Sequence, residues 1–397
     1  MGGNDDAAKP HEWEAPMNDT GKITAGQAAG DTATVRSRRF FSTCGCCEAP
    51  PAGQGRAGVS RRNFVAGGIA AFGFGAAAIS APPRAFAQAK PHRIDVHHHI
   101  SPPVWVEALK KAGLATPPVL NWTVQRSLDD MDKAGVATSI TSPTLPGVGF
   151  LPPAEAAAVA RASNEFAAKL AGDHKGRFGR FAQMPMPYVD ETLKEIEYAL
   201  DTLKADGVGF LTSYGDKYLG DPAFAPVFDE LNRRKATVFT HPTDPKCCSA
   251  NLAGFSPIYI EYGTDTTRTV ASLIFNHTAE RSPDINFIFC HGGGSVTALT
   301  DRFTVQMIAN PKYKDFTAEG VAAQLKRFYY DTAQASNPIA MASLTKLVDS
   351  SQIVFGSDYP YRTAAEHVKG LGGIFGAEDL AKIDSGNALR LLPHWRA

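Results

Sequence analysis

A closed (β/α)₈ barrel is the fold class that this sequence predicts from residue 93 onward, on three observations. Short apolar runs alternate with helix-patterned segments eight times, which suits a barrel of about 250 residues with insertions. The runs are nearly continuous in apolar residues, as parallel strands covered on both faces must be. An open doubly wound sheet would offer a Gly-rich phosphate turn after an early strand, and none follows the first run. The glycine cluster Gly292-Gly293-Gly294 comes after the sixth.

In chain order the predicted strands are Arg93 to His97, Thr138 to Ser142, Arg180 to Met184, Gly207 to Leu211, Thr237 to Thr240, Asn286 to Cys290, Phe328 to Asp331 and Ile353 to Phe355. Between them lie segments with apolar residues three or four apart, the spacing of one helix face. Glu191 to Lys204 carries Leu193, Ile196, Leu200 and Leu203 in this way. Phe224 to Arg234 carries Phe224, Val227, Phe228 and Leu231.

The chain has 397 residues, 44% of them hydrophobic and 20% charged, enough to bury a large core. Lys+Arg and Asp+Glu are both 40, a formal net charge of +0. No broad basic surface follows, which argues against nucleic acid as a partner and for a small molecule.

Three regions divide the chain. Residues 1–58 are rich in Gly, Ala, Asp and Thr without apolar periodicity and read as a disordered leader. Residues 59–87 read as a twin-arginine export signal: Arg61-Arg62, an uncharged stretch from Ala66 to Pro83, then the small-residue site Ala85-Phe86-Ala87. Its Ala/Gly content and Pro82-Pro83 make it a poor permanent membrane span. Residues 92–393 form the barrel. A twin arginine normally lies near a chain start, so translation is expected to begin near Val59, with the preceding segment an upstream extension. The expected destination is the periplasm or another exported location, or the cytoplasm if the signal is unused. Of six cysteines, Cys44, Cys46 and Cys47 lie in the leader and Cys247, Cys248 and Cys290 in the barrel. Three cannot all pair internally, so this is no disulfide scaffold.

In a barrel the C-terminal ends of the strands line one open face. Read there, the sequence concentrates metal-capable residues: His97-His98-His99 after the first strand, His241 after the fifth, His291 after the sixth and Asp358 at the eighth. Five of the 11 histidines fall at these ends. Strand periodicity turns His97 and His99 to one side and His98 to the other. Pro242 stops the fifth strand just after His241. Three imidazoles (His97, His99, His241) and the Asp358 carboxylate suit one Zn²⁺, with Mn²⁺ the choice if oxygen ligation dominates. His291 then remains free as general acid or base, with Asp358 the other candidate proton donor. The fourth strand end, Phe210-Leu211-Thr212-Ser213, has no lysine that could bridge a second ion.

The motifs Ile94-Asp95-Val96-His97-His98-His99, Thr240-His241-Pro242, Cys290-His291-Gly292-Gly293-Gly294 and Gly356-Ser357-Asp358-Tyr359-Pro360 together resemble the amidohydrolase superfamily. Within it they look like the aminocarboxymuconate-semialdehyde decarboxylase group, which includes 6-methylsalicylate and γ-resorcylate decarboxylases. The resemblance spans roughly Arg93 to Pro393. It implies non-oxidative loss of CO₂ from a small carboxylate, with the metal on His97, His99, His241 and Asp358 and with His291 activating water or shuttling a proton. It also implies a homodimer in which Arg302, eleven residues beyond His291, clamps the carboxylate in the neighbouring subunit's site. A second substrate arginine of that branch has no match in spacing; Arg126 is merely close. The His97/His99 pair, where some aromatic decarboxylases carry Glu first, favours the aminocarboxymuconate or methylsalicylate side. Tyr359, Tyr361 and Trp105 are candidate pocket walls. Two other functions compete: hydrolysis of a lactone, ester or amide by the same metal and His291, and an exported metal-binding protein without turnover.

Overall fold

A computed structural model describes residues 92–396, except 143 and 246–254. The leader, the export signal and Cys44, Cys46, Cys47, Cys247 and Cys248 lie outside the described residues. Within them eight parallel strands form one sheet: β1 (Arg93–His99), β2 (Val136–Ser142), β3 (Phe178–Gln183), β4 (Gly207–Leu211), β5 (Thr237–His241), β6 (Asn286–Phe289), β7 (Tyr329–Asp331) and β8 (Ile353–Val354). Each pairs with its predecessor in sequence, and the residues after β8 return to β1. Val96 N–H donates to Phe355 O at 2.9 Å, Asp358 N–H to His97 O at 2.8 Å and His99 N–H to Tyr359 O at 2.7 Å. The barrel predicted from the sequence is the fold observed.

The fourth strand has the predicted bounds, the others move by one or two residues, and the helices are more broken. The segment predicted as one helix from Glu191 is α-helical over Val189–Glu197 and then widens to a π-helical turn at Tyr198–Thr202. The next opens with a 3₁₀ turn at Pro222–Phe224, capped by the Asp221 side chain, before Ala225–Arg233. A two-residue hairpin after β4, Ser213–Tyr214 with Lys217–Tyr218, has no apolar signature and was not predicted.

Two apolar layers hold the barrel. One includes Phe210, Phe228, Phe287 and Leu273, packed between strands and helices. The other fills the interior with Ile94, Val96, Ile140, Phe181, Phe239, Ile288 and Val354, and reaches Leu392 near the C-terminus. Phe181 and Phe239 stack there at 5.6 Å, and Phe239 meets the His97 ring at 5.0 Å. The functional face therefore rests on a packed apolar floor. The β1 pairing shifts between Asp95 and His98, which lets Val96 join the interior layer while His97 still reaches the mouth.

Closure of β8 onto β1 depends on Asp95, which is fully buried. Its Oδ1 accepts from His97 N–H and Ser357 N–H, both at 3.0 Å, and its Oδ2 from the Ser357 hydroxyl at 2.6 Å. Removing a buried acceptor strands its donors, at about 1–3 kcal/mol for each unsatisfied group. Asp95→Ala should therefore lower unfolding free energy by about 3 kcal/mol or more in urea titration. A loss under about 1 kcal/mol would show that the seam closes without it.

Candidate metal and catalytic site

Five side chains from the strand ends converge on one carboxylate. Asp358 Oδ1 lies 3.2 Å from His97 Nε2, 3.1 Å from His99 Nε2 and 3.9 Å from His241 Nε2. Its Oδ2 lies 3.3 Å from His291 Nε2 and accepts a short hydrogen bond from the Gln334 amide. One donor atom each from His97, His241, His291 and Asp358 falls within 4.8 Å of the others. His99 Nε2 is 3.1 Å from His97 Nε2. Such a cluster of imidazoles facing one carboxylate is the donor chemistry of a divalent cation site.

The backbone sets these positions. His98 turns away from the cluster, with Nε2 2.9 Å from Ser127 Oγ and its ring stacked on Tyr359 at 4.7 Å. The outer nitrogens are also occupied: His99 Nδ1 lies 3.2 Å from Ser142 Oγ, and His241 Nδ1 lies 2.9 Å from Pro242 O. His291 and Asp358 both hold left-handed backbone, with φ of 54° and 61°, a conformation that costs non-glycine residues and gathers at functional sites. The glycines after His291 permit close packing. A Cβ on Gly294, itself at φ 63°, would lie 2.0 Å from Gly263 O.

Burial and charge divide the imidazoles. Burial opposes a charge on His97, but the Asp331 and Asp358 carboxylates outweigh it and push its pKa up to about 10. For His241 burial prevails and pulls it down to about 3; His99 is likewise lowered by burial. Burial works against ionised Asp358 too, yet His97 and its other imidazole partners hold it well below the usual carboxylate range. His291 keeps 10% side-chain exposure, against 0% for His97 and 3% for His241.

Above the cluster is a cavity of about 420 Å³, reached by His241, Asp358 and Gln334. Its walls include Leu114, Leu145, Pro146 and Ile258, with the phenols Tyr262 and Tyr361. Tyr361 thus lines the cavity. Tyr359 instead stacks on His98, and buried Trp105 donates from its indole to Gly147 O at 2.7 Å. Arg302 is exposed, with Nη1 3.2 Å from Gln306 Oε1, and does not join the cluster of its own chain. Arg126 borders a neighbouring groove with Trp122 and Tyr359.

Asp331 and Gln334 carry no functional mark in the sequence. Asp331 Oδ2 lies 2.7 Å from His97 Nδ1, while Oδ1 accepts from His291 N–H at 2.8 Å and Ala333 N–H at 3.0 Å. Asp331 ends β7 and Gln334 lies in the turn that follows, where no histidine draws attention; only the general position at a strand end could have flagged them.

A parallel barrel with a buried imidazole–carboxylate cluster at its strand ends defines a metal-dependent barrel enzyme of the hydrolase and lyase kind. The chain belongs to the amidohydrolase family, whose signature matches residues 94–394. It is 37% identical over 327 residues to decarboxylase yanB of Aspergillus niger, covering 77% of this chain and 88% of that one. It is 34% identical over 315 residues to 6-methylsalicylic acid decarboxylase of Penicillium expansum, covering 76% and 96%. Among solved structures, a dihydroxybenzoic acid decarboxylase from Polaromonas, with bound manganese and 2-nitroresorcinol, superposes at a TM-score of 0.69. That match has 19% identity and covers 77% of this chain and 98% of that one. No helix among the described residues is long and apolar enough to cross a membrane.

With its pKa near 10, His97 of the metal-free protein holds a proton throughout neutral pH. A cation bound to it must displace that proton. Metal affinity should therefore rise by about tenfold per pH unit between about pH 6 and 8, with about one proton released per ion. His241, deprotonated over this range, adds nothing to the count. Calorimetric titration in two buffers of different ionisation enthalpy measures the release; zero protons would rule out His97 as a ligand in this protonation state.

Proposed function

We propose that the protein is a metal-dependent, non-oxidative decarboxylase of a small hydroxylated aromatic carboxylic acid of the salicylate kind. The observation that carries the reading is the cluster's position. It opens through His241 and Asp358 into a cavity whose apolar and phenolic walls suit a substituted ring. The relatives' names, one of them a 6-methylsalicylic acid decarboxylase, support carbon dioxide loss over hydrolysis of a lactone, ester or amide.

His97, His99, His241 and Asp358 are proposed to hold one ion, and the imidazole majority favours Zn²⁺ over Mn²⁺. Bound there, the ion would supply Lewis acidity to the carboxylate and phenolate oxygens of the substrate. His291, the most exposed of the four imidazoles that lie within 4 Å of Asp358, is proposed to deliver a proton from Nε2 to the ring carbon bearing the carboxylate. The bond from that carbon to the carboxylate then breaks, CO₂ leaves, and the bonding electron pair restores the aromatic ring. Asp358 Oδ2, 3.3 Å from His291 Nε2, orients the imidazole for this transfer. Leu114, Leu145 and Ile258 offer the ring apolar contact.

Incubation of the metal-loaded protein with salicylates and resorcylates should release CO₂, read by mass loss and gas evolution. His291→Ala should lower kcat by about 10²–10⁴-fold. Addition of water to a lactone or ester, with no CO₂ from any acid, would move the protein to the hydrolase class. Metal binding with neither activity would leave a binding protein.

Arg302 is exposed and hydrogen-bonds Gln306 of its own chain, so a role at the substrate carboxylate is assigned to a second copy. We propose a homodimer that shares sites in this way. Arg302→Ala and His291→Ala, each inactive alone, should then complement when mixed and reassembled. About a quarter of wild-type activity is expected, because half of random dimers hold one complete site each. No recovery on mixing would place Arg302 outside the site. The segment 59–87 is proposed to direct twin-arginine export, a matter for cell fractionation.

A further inference from the structure

We infer that Asp331 is a positioning residue that decides which nitrogen of His97 faces the cation and fixes His291 beside it. Asp331 ends β7, is fully buried, and spends both oxygens on residues of the cluster. Oδ2 lies 2.7 Å from His97 Nδ1, and Oδ1 accepts from the backbone of His291 at 2.8 Å and of Ala333 at 3.0 Å. An ionised carboxylate only accepts hydrogen bonds. Nδ1 of His97 must therefore carry the hydrogen, which leaves the Nε2 lone pair for a cation. Nε2 is the nitrogen that points at Asp358 and His99.

The second oxygen acts on a different strand. His291 holds left-handed backbone at φ 54°, and its N–H is anchored by Asp331 while its Nε2 reaches Asp358. One carboxylate thus orders a residue of β1 and the second residue beyond β6. The rest of the same turn works on the eighth strand end. Thr332 Oγ1 accepts from Gly356 N–H at 3.0 Å, and the Gln334 amide donates to Asp358. A Cβ on Gly356 would lie 2.9 Å from His97 Cβ and 3.1 Å from Asp331 Cβ, so the His97–Asp331 pair is packed tightly from the β8 side. The seventh strand contributes no ligand to the cluster, yet its turn touches the ligands or their backbone from three other strand ends.

Asp331→Asn is the informative change, because an amide cannot satisfy all three donors. If its oxygen serves the His291 and Ala333 N–H groups, its NH₂ faces His97 Nδ1. That nitrogen must then accept, and the hydrogen moves to Nε2, where it blocks ligation. If the amide turns over, two backbone donors face an NH₂ group instead. Either way the cluster is misassembled while the side chain keeps its shape.

The inference rests on cation binding by this cluster and not on the reaction, so an absence of CO₂ release leaves it standing. Two measurements test it. Chelator competition with Zn²⁺ on the purified protein should show affinity weakened by about 10–100-fold in Asp331→Asn. Proton–nitrogen correlation spectra of zinc-loaded wild-type protein with ¹⁵N-labelled histidine should show His97 protonated at Nδ1 and ligating through Nε2. This second measurement needs no variant and so decides the matter even if Asp331→Asn does not fold. Unchanged affinity in a folded Asp331→Asn protein overturns the inference. So does His97 protonated at Nε2 in the wild type, or no zinc binding by it at all.

Discussion

The Asp358 carboxylate is the point on which the open end of the barrel is organised. A buried anion is costly unless charge and hydrogen bonds surround it, and here imidazoles from three other strand ends and the Gln334 amide do so. The same residue belongs to the β8–β1 seam, where its N–H donates to His97 O beside the Asp95–Ser357 hydrogen bonds. Chemistry and closure are therefore one constraint: the carboxylate reaches the cluster only when the seam is formed. The left-handed backbone at Asp358 and His291 is tolerated because the seam, the Gly292–Gly294 turn and the Asp331 hydrogen bonds hold it.

One electrostatic environment gives chemically identical side chains different states. His97 sits between two carboxylates and its pKa is raised; that of His241, almost as buried but farther from Asp358, is lowered. Pushing pKa values apart in this way is how neighbouring groups take separate roles. The deeply buried imidazoles suit ligation, and His291, with its residual exposure, suits proton traffic. The apolar floor of Phe239, Phe181 and Ile288 beneath them keeps water away from the side opposite the cavity.

Much of this was legible in the sequence, because its signals are local. Near-continuous apolar strands mark a buried parallel sheet, and the eight intervals mark its closure. Histidines and an aspartate at strand ends fall on one face because a parallel barrel places all those ends together. The alternation of His97, His98 and His99 was readable from strand geometry. What escaped had no local mark. Asp331 and Gln334 are ordinary polar residues at and just beyond the end of a short strand, and their contacts lie 234 and 24 positions away. Asp95 sits inside a recognised motif, but its bond to Ser357 spans 262 positions. The π-helical turn at Tyr198–Thr202 interrupts a regular apolar spacing that gives no warning of it.

By itself the sequence determined the barrel, the strand ends that carry chemistry and the residue types available there. Periodicity and residue chemistry are properties of neighbours in the chain, and a repeated βα unit has one favoured way to close. Only the tertiary structure decided how those residues differ: which imidazole has its charged form favoured, which keeps contact with solvent, and which carboxylates face them. Those properties depend on distances between residues hundreds of positions apart and on the exclusion of water around them. The position of Arg302 makes the same point. Its spacing from His291 is a fact of sequence, but that it is exposed and paired with Gln306 appears only in the fold.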